Sequence, residues 1–249
     1  MCCFFSYVVV STNFLHSFRL ANQDTHRVRC RLVEYAALAL PLLALILLAT
    51  RILWWLVARV WSKRKRRSWA GTAQLPLRTA VVLGSGGHTM EMLSLLKEVD
   101  QERYRCDFIM AQTDSSSLKK VQATRPDLAK DLTRFHVIPR SREVGQSWSS
   151  SLLTTAQAFL ACLGLVWELN PQVLLVNGPG TCFPVVAAVL LFELIAFRRV
   201  SLIFVESVCR VKSLSMSGKL IYPFADAFLV HWPELVERYA KAQYLGILF

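Results

Sequence analysis

Residues 79–83 form a short apolar run, followed by the hexapeptide GSGGHT at 84–89 and then Met-Glu-Met-Leu-Ser-Leu-Leu. The order strand, glycine turn, amphipathic helix restricts the chain to folds in which a parallel strand delivers its successor helix back across a sheet. Glycines at 84, 86 and 87 let the backbone reverse tightly and approach a ligand with no Cβ in the way. The turn also presents the unpaired N–H groups and positive dipole end of the next helix, which together make an anion site. A diphosphate fits such a site.

The pattern continues. Apolar strands are expected at 106–112, 135–138, 173–176, 200–205 and 227–230, separated by helical stretches. Met92, Leu95, Leu96 and Val99 give the first helix an apolar face at helical spacing. A long helix is expected from a serine cap at 149–151 toward Glu168. The run 182–197 is almost wholly apolar except for Glu193. At 16 residues it falls short of the ~20 that a membrane span needs, so it reads as a buried crossover helix. Strands alternating with helices predict an α/β domain with a Rossmann-like parallel sheet covered on both faces. The turns GSGGHT, QTDSSS, PRSREV, NGPGT and ESVCR then all fall at C-terminal strand ends, where open α/β sheets bind ligands.

Upstream, residues 35–58 read as one transmembrane helix. Arg51 interrupts the run at a cost of ~2.5–3.5 kcal/mol, which the surrounding Leu and Ile offset and snorkelling lowers further. Trp54, Trp55 and Trp61 sit where interfacial aromatics gather. The chain has 249 residues and a formal net charge of +12. Much of that charge lies in a linker at 59–78, where Arg59, Lys63, Arg64, Lys65, Arg66 and Arg67 directly follow the span. The position argues for an anionic membrane surface over nucleic acid. It also places the C-terminal domain in the cytosol by the positive-inside rule. Residues 1–34 read as a lead-in. The seven cysteines form no C-x-x-C pair, so neither a disulfide framework nor a zinc site is expected. Cys106, Cys162 and Cys182 lie in apolar stretches and read as buried thiols.

Several residues of the expected crevice carry chemistry. A nicotinamide fingerprint would need a third glycine and an acidic residue at the end of the second strand. Here His88 and Thr89 follow Gly86 and Gly87, and Asp107 lies inside the strand. His88, at the start of the helix, can serve as general base, hydrogen-bond a phosphate oxygen, or simply close the turn. Arg140 and Arg142 suit bidentate phosphate contact, or stand as a solvated surface pair. Asn177, Gly178, Gly180 and Thr181 form a second glycine turn leading into a helix. Glu206 ends the fifth strand near Arg210, in the crevice or as a structural ion pair.

Taken together, five blocks resemble a known family. They are VVLGSGGHTMEML at 81–93, IPRSREVGQSW at 138–148 and NGPGTCFPV at 177–185. VESVCRVKSLSMSGKLIYPFAD at 205–226 and WPELVERYAKAQYLG at 232–246 complete the set. They are similar to the membrane-anchored subunit of the eukaryotic UDP-N-acetylglucosamine transferase that makes dolichyl-diphosphate chitobiose. The resemblance implies the N-terminal, acceptor-side half of a split GT-B glycosyltransferase, on the cytosolic face of the endoplasmic reticulum. A separate soluble subunit would bind UDP-N-acetylglucosamine, and neither metal nor cofactor is expected. Gly84, Ser85, Gly86, Gly87, Thr89, Arg140 and Arg142 would hold the acceptor diphosphate, with His88 as candidate base. A C-terminal tail of Tyr244, Leu245, Gly246, Ile247, Leu248 and Phe249 would dock the partner. Length agrees, since 79–249 suffices for one Rossmann-like domain of ~150–200 residues whereas a GT-B enzyme needs two. The first thirty or so residues match nothing in the family. A self-sufficient transferase and a scaffold without catalytic groups are the competing expectations.

Overall fold

The computed structural model describes residues 39–61, 76–97, 99–100, 102–141, 146–178, 180–196 and 198–247. The lead-in, most of the basic linker, Arg142, Leu248 and Phe249 lie outside them. The chain divides into two compact units, Met1–Val57 and Ala58–Phe249.

In the first unit, helix α1 (Ala39–Val60, running past the unit boundary) is apolar and long enough to cross a membrane. Its 22 residues span ~33 Å at 1.5 Å per residue, matching a ~30 Å hydrocarbon core. Leu40, Leu42, Leu45 and Leu47 are all more than half exposed, as lipid-facing side chains would be. The Arg51 guanidinium lies 5.3 Å from the Trp54 ring centroid, a cation–π contact that lowers the cost of its charge. The helix ends in a π-helical turn, Val57–Trp61.

The second unit is built on a seven-stranded, wholly parallel sheet of order β3-β2-β1-β4-β5-β6-β7. Its strands are β1 (Leu77–Val82), β2 (Tyr104–Ala111), β3 (Phe135–Ile138), β4 (Val173–Asn177), β5 (Ser201–Val205), β6 (Ala227–Val230) and β7 (Ala242–Tyr244). The chain order reverses between β1 and β4, which is the switch point of a Rossmann-like fold. Side chains alternate across the strands, so one strand feeds two cores. Ala80 and Val82 of β1 join the cluster beneath α4 (Trp148–Leu169) and α5 (Cys182–Ala196). Val81 and Leu83 join the cluster beneath α2 (Gly87–Leu96) and α3 (Ser115–Thr124). Both faces of the central strands are thereby covered, which is why they read as unbroken apolar runs.

Helix α5 lies in the sheet's crossover, burying Val185, Val186, Ala188 and Val189. Its one charged residue, Glu193, is buried too. It accepts from Arg59 Nη1 at 2.7 Å and from the Val200 amide at 2.8 Å, while Arg59 Nη2 stands 3.2 Å from Asp226. Arg59 is therefore a buried, paired residue and not a member of a solvated basic cluster. Helix α4 is itself long and apolar enough for a span. It runs between β3 and β4, with Ala158, Cys162 and Val166 buried and Leu152, Leu153, Leu160 and Trp167 exposed. Ser147 caps its start by accepting from the Ser150 amide, and Asn170 ends it in the left-handed region at φ 46°. Burial pushes the Cys106 thiol up to about 11, and those of Cys162 and Cys182 to about 12, as expected of inert core cysteines.

Candidate functional site

At the C-terminal edge of the sheet, around the switch point, lies a cavity of about 570 Å³. The turns after β1, β4 and β5 and the start of α6 (Met216–Ile221) line it, contributing Gly87, His88, Glu91, Gly178, Glu206 and Arg210 among others.

The first wall is made by the GSGGHT turn. Gly86 caps α2 at φ 68° with no side-chain cap bond, which leaves the first amides of the helix facing outward. A Cβ at Gly86 or Gly87 would meet nothing within 4 Å. The turn is held from behind. Thr89 is fully buried, with its hydroxyl bonded to the Gly84 carbonyl and, at 2.6 Å, to Ser117 Oγ. Lys120 Nζ donates to the Gly86 carbonyl at 2.7 Å.

His88 Nδ1 lies 3.1 Å from Glu91 Oε2 and 3.0 Å from Asn177 Oδ1. Asn177 Nδ2 donates to the same Glu91 oxygen at 2.9 Å. That fixes the amide's orientation, since the reverse would set oxygen against carboxylate. Both neighbours of Nδ1 are then acceptors, so Nδ1 carries a proton. In neutral His88 the basic nitrogen is Nε2. The hydrogen bond that His88 donates to Glu91 raises the imidazole pKa above its ordinary value, against the opposing effect of burial. Burial alone would push Glu91 up. The bonds from His88, Asn177 and Ser207 outweigh it and hold the carboxyl down at about 2.

Across the cavity Glu206 is completely buried at the end of β5. It accepts from the Ser207 amide at 3.1 Å, the Ser215 amide at 2.9 Å and Ser215 Oγ at 3.1 Å. Burial nevertheless pushes its carboxyl up, with the Arg210 charge and these donors pulling the other way. No ion pair joins Glu206 to Arg210 among the described residues, and Arg210 stands exposed at the rim.

The structure thus brings together His88, Gly87, Gly178, Asn177, Glu206 and Arg210. Ser85 is exposed on the same turn. The Thr89 hydroxyl and the Gly84 carbonyl are spent inside the turn, and Gly84 is buried. Arg140 stands farther along the edge, donating to Thr113 Oγ1 at 3.0 Å beyond the end of β2. A Cβ on Gly180 would face Ser141 Oγ at 3.3 Å, and half-buried Thr181 precedes α5. The tail follows β7, the edge strand: Tyr244 and Ile247 are exposed, Leu245 N donates to Val230 O, and the Gly246 carbonyl bonds His231 Nδ1. Sequence reasoning missed Glu91, Ser207 and Ser215. Only Glu91 had a local signal, because His88 and Glu91 at i and i+3 share a helix face.

The family model described as "Oligosaccharide biosynthesis protein Alg14 like" matches residues 79–248. The UDP-N-acetylglucosamine transferase subunit ALG14 of Homo sapiens is 39% identical over 198 residues, covering 77% of this chain and 91% of that protein. The subunit of the same name from Yarrowia lipolytica is 41% identical over 171 residues, 68% of this chain and 79% of its own length. Among solved structures, Acinetobacter baumannii MurG aligns with a TM-score of 0.47 at 11% identity, over 63% of this chain and 41% of that one. That likeness is too loose to carry an argument. The match to the family model over residues 79–248, with relatives near 40% identity, makes this chain a member of the Alg14 family.

Proposed function

We propose that this chain is the membrane-anchored, acceptor-side subunit of a UDP-N-acetylglucosamine transferase that adds the second GlcNAc to dolichyl-diphosphate-GlcNAc. In this reading α1 holds the domain on the cytosolic face of the endoplasmic reticulum. Residues 79–249 form the N-terminal half of a split GT-B enzyme. A soluble partner, docked on the tail from Tyr244 to Phe249, brings the sugar nucleotide. The observation that carries the reading is one imidazole. His88 sits at the uncapped N-terminus of α2, at the cavity wall, with Nδ1 committed and Nε2 left as its basic nitrogen.

The chemistry follows from those groups. The acceptor diphosphate lies against the amides of Gly86, Gly87 and His88, where the helix dipole favours negative charge. Arg210 at the rim adds a cation, with Ser85 on the turn and Arg140 farther along the edge, and Arg142 is proposed from the sequence to join them. The acceptor hydroxyl gives its proton to His88 Nε2 as its oxygen bonds the anomeric carbon of the donor. The bond from that carbon to UDP breaks on the opposite face, with inversion, and UDP leaves with the electron pair. General-base assistance of this kind contributes ~10²–10⁴-fold.

The test is transfer from UDP-GlcNAc to dolichyl-diphosphate-GlcNAc in membranes carrying this chain with or without the donor-binding subunit. Turnover is expected only with both, and His88→Ala in the pair is expected to lose ~10²–10⁴-fold in kcat. Activity of the chain alone would make it a self-sufficient transferase. Near-normal turnover of His88→Ala would remove His88 as base.

A further inference from the structure

Glu91 lies within the VVLGSGGHTMEML block, where the sequence gives it no role, yet in the structure it is the hub of the cavity. It sits in α2 one turn past His88, with its side chain only 8% exposed. Oε2 accepts from His88 Nδ1 and Asn177 Nδ2, and Oε1 accepts from Ser207 Oγ at 2.9 Å and the Val208 amide at 3.2 Å. Four donors from three segments, α2 itself, the end of β4 and the turn after β5, converge on one carboxylate. A buried carboxylate is the costliest way to tie three loops together, because its charge must be taken out of water. A neutral amide could bridge the same loops at lower cost. What the charge adds is specific to its one titratable donor, since an anion beside Nδ1–H stabilises the imidazolium that forms when Nε2 takes a proton.

We infer that Glu91 is the positioning residue of His88: with Asn177 it locks the imidazole as the Nδ1–H tautomer, holds the ring in place and stabilises its protonated form. The role rests on the reading of His88 as base. The backing is steric as well as polar. Gly178, at φ 66°, lies so close that a Cβ there would stand 2.8 Å from His88 Nδ1 and Cε1. The ring is held between the carboxylate, the amide and a bare backbone. The other charged groups around His88 are Glu206 and Arg210 from the turn after β5 and Lys120 from α3, which is bonded to the Gly86 carbonyl. None of them bonds the ring, so Glu91 is the charged group in direct contact with it, with Glu206 acting on it only from farther off.

The test uses the full chain paired with its donor-binding subunit in membranes, with kcat and both KM values measured across pH. Glu91→Gln keeps shape and removes charge. The expected result is kcat lower by ~10²-fold, KM values within ~3-fold, and the acidic limb of the kcat profile shifted to lower pH as the imidazolium loses its counter-charge. The double variant with His88→Ala should be no slower than His88→Ala alone, because Glu91 acts only through the imidazole. An unmoved acidic limb, or losses that multiply in the double variant, would overturn the role of Glu91 while leaving His88 as base. A near-normal His88→Ala would instead remove the base reading itself. If Glu91→Gln does not accumulate, the wild-type chain still decides: ¹⁵N-histidine spectra should show neutral His88 protonated at Nδ1, and an Nε2–H tautomer would refute the inference.

Discussion

The two sides of the cavity hold the same kind of group in opposite states. Glu91 and Glu206 are both buried carboxyls, and each accepts several hydrogen bonds. One is held down at about 2 and the other is pushed up. Glu206 is the more completely buried of the two and accepts from two amides and a hydroxyl, one donor fewer than Glu91. Glu91 also has a donor able to become a cation at bonding distance, whereas Glu206 has Arg210 only as a more distant charge. A glycine also closes on each side. Gly178 lies against His88 on one side, and a Cβ on Gly218 of α6 would collide with Glu206 Oε2 on the other. One wall thus pairs a carboxylate with an imidazole, and the other buries a carboxyl whose charge is disfavoured by its surroundings.

The strongest way to break this comparison is Gly178→Ala. The added carbon meets the imidazole at 2.8 Å, and its backbone must hold φ 66°, which costs an L-residue ~1–2 kcal/mol. Moving a catalytic group by about 1 Å can cost ~10²-fold. We therefore expect kcat in the two-subunit assay to fall ~10²-fold, with a melting temperature lower by a few degrees. Turnover within threefold of wild type would show that the ring's position does not matter.

Glu206→Gln probes the other wall through pH. A carboxyl raised in the folded state contributes stability below its unfolded pKa, and that contribution is lost as pH rises through the folded value. The wild type should lose stability from about pH 4.5 upward on account of this group, by at most ~1.4 kcal/mol per pH unit. The glutamine variant should lack that slope. Glu91 has the opposite sign: its stabilisation is full above about pH 4.5 and is lost as pH falls toward 2. Melting curves of both variants between pH 3 and 8 check the contrast, and parallel curves for wild type and Glu206→Gln would abolish it.

Much of this cavity was legible in the chain and some of it was not, for reasons the two walls make plain. The GSGGHT wall is local: strand, turn and helix are contiguous, so its glycines and His88 announce themselves. The parallel sheet was legible for a similar reason, since strands such as Val173–Asn177, buried throughout, read as apolar runs. The second wall depends on a return of the chain, in which Ser215 comes back to Glu206 across an irregular segment without periodicity. QTDSSS reads as a turn, yet its last three residues already open helix α3, and Asp114 is the N-cap, accepting from the Ser117 amide. Strand β7, three residues long, gave no alternation to detect. Arg59 read as one more basic residue beside a membrane until Glu193 and Asp226 closed around it.

The smallest effect separates the two positive-φ glycines on either side of His88. Gly86 at φ 68° and Gly178 at φ 66° carry nearly the same backbone cost on substitution. They differ in what a side chain would meet, which is the imidazole at Gly178 and open space at Gly86. If that space is where the acceptor diphosphate lies, Gly86→Ala should raise acceptor KM ~3–10-fold, because a methyl there weakens close backbone approach without touching His88. Its kcat should stay within threefold, and its melting temperature should fall about as far as that of Gly178→Ala, since the shared strain is the shared term. An unchanged acceptor KM would mean that the lipid's diphosphate does not rest on this turn. A kcat loss matching that of Gly178→Ala would mean instead that strain in the turn, and not the ring's displacement, governs both.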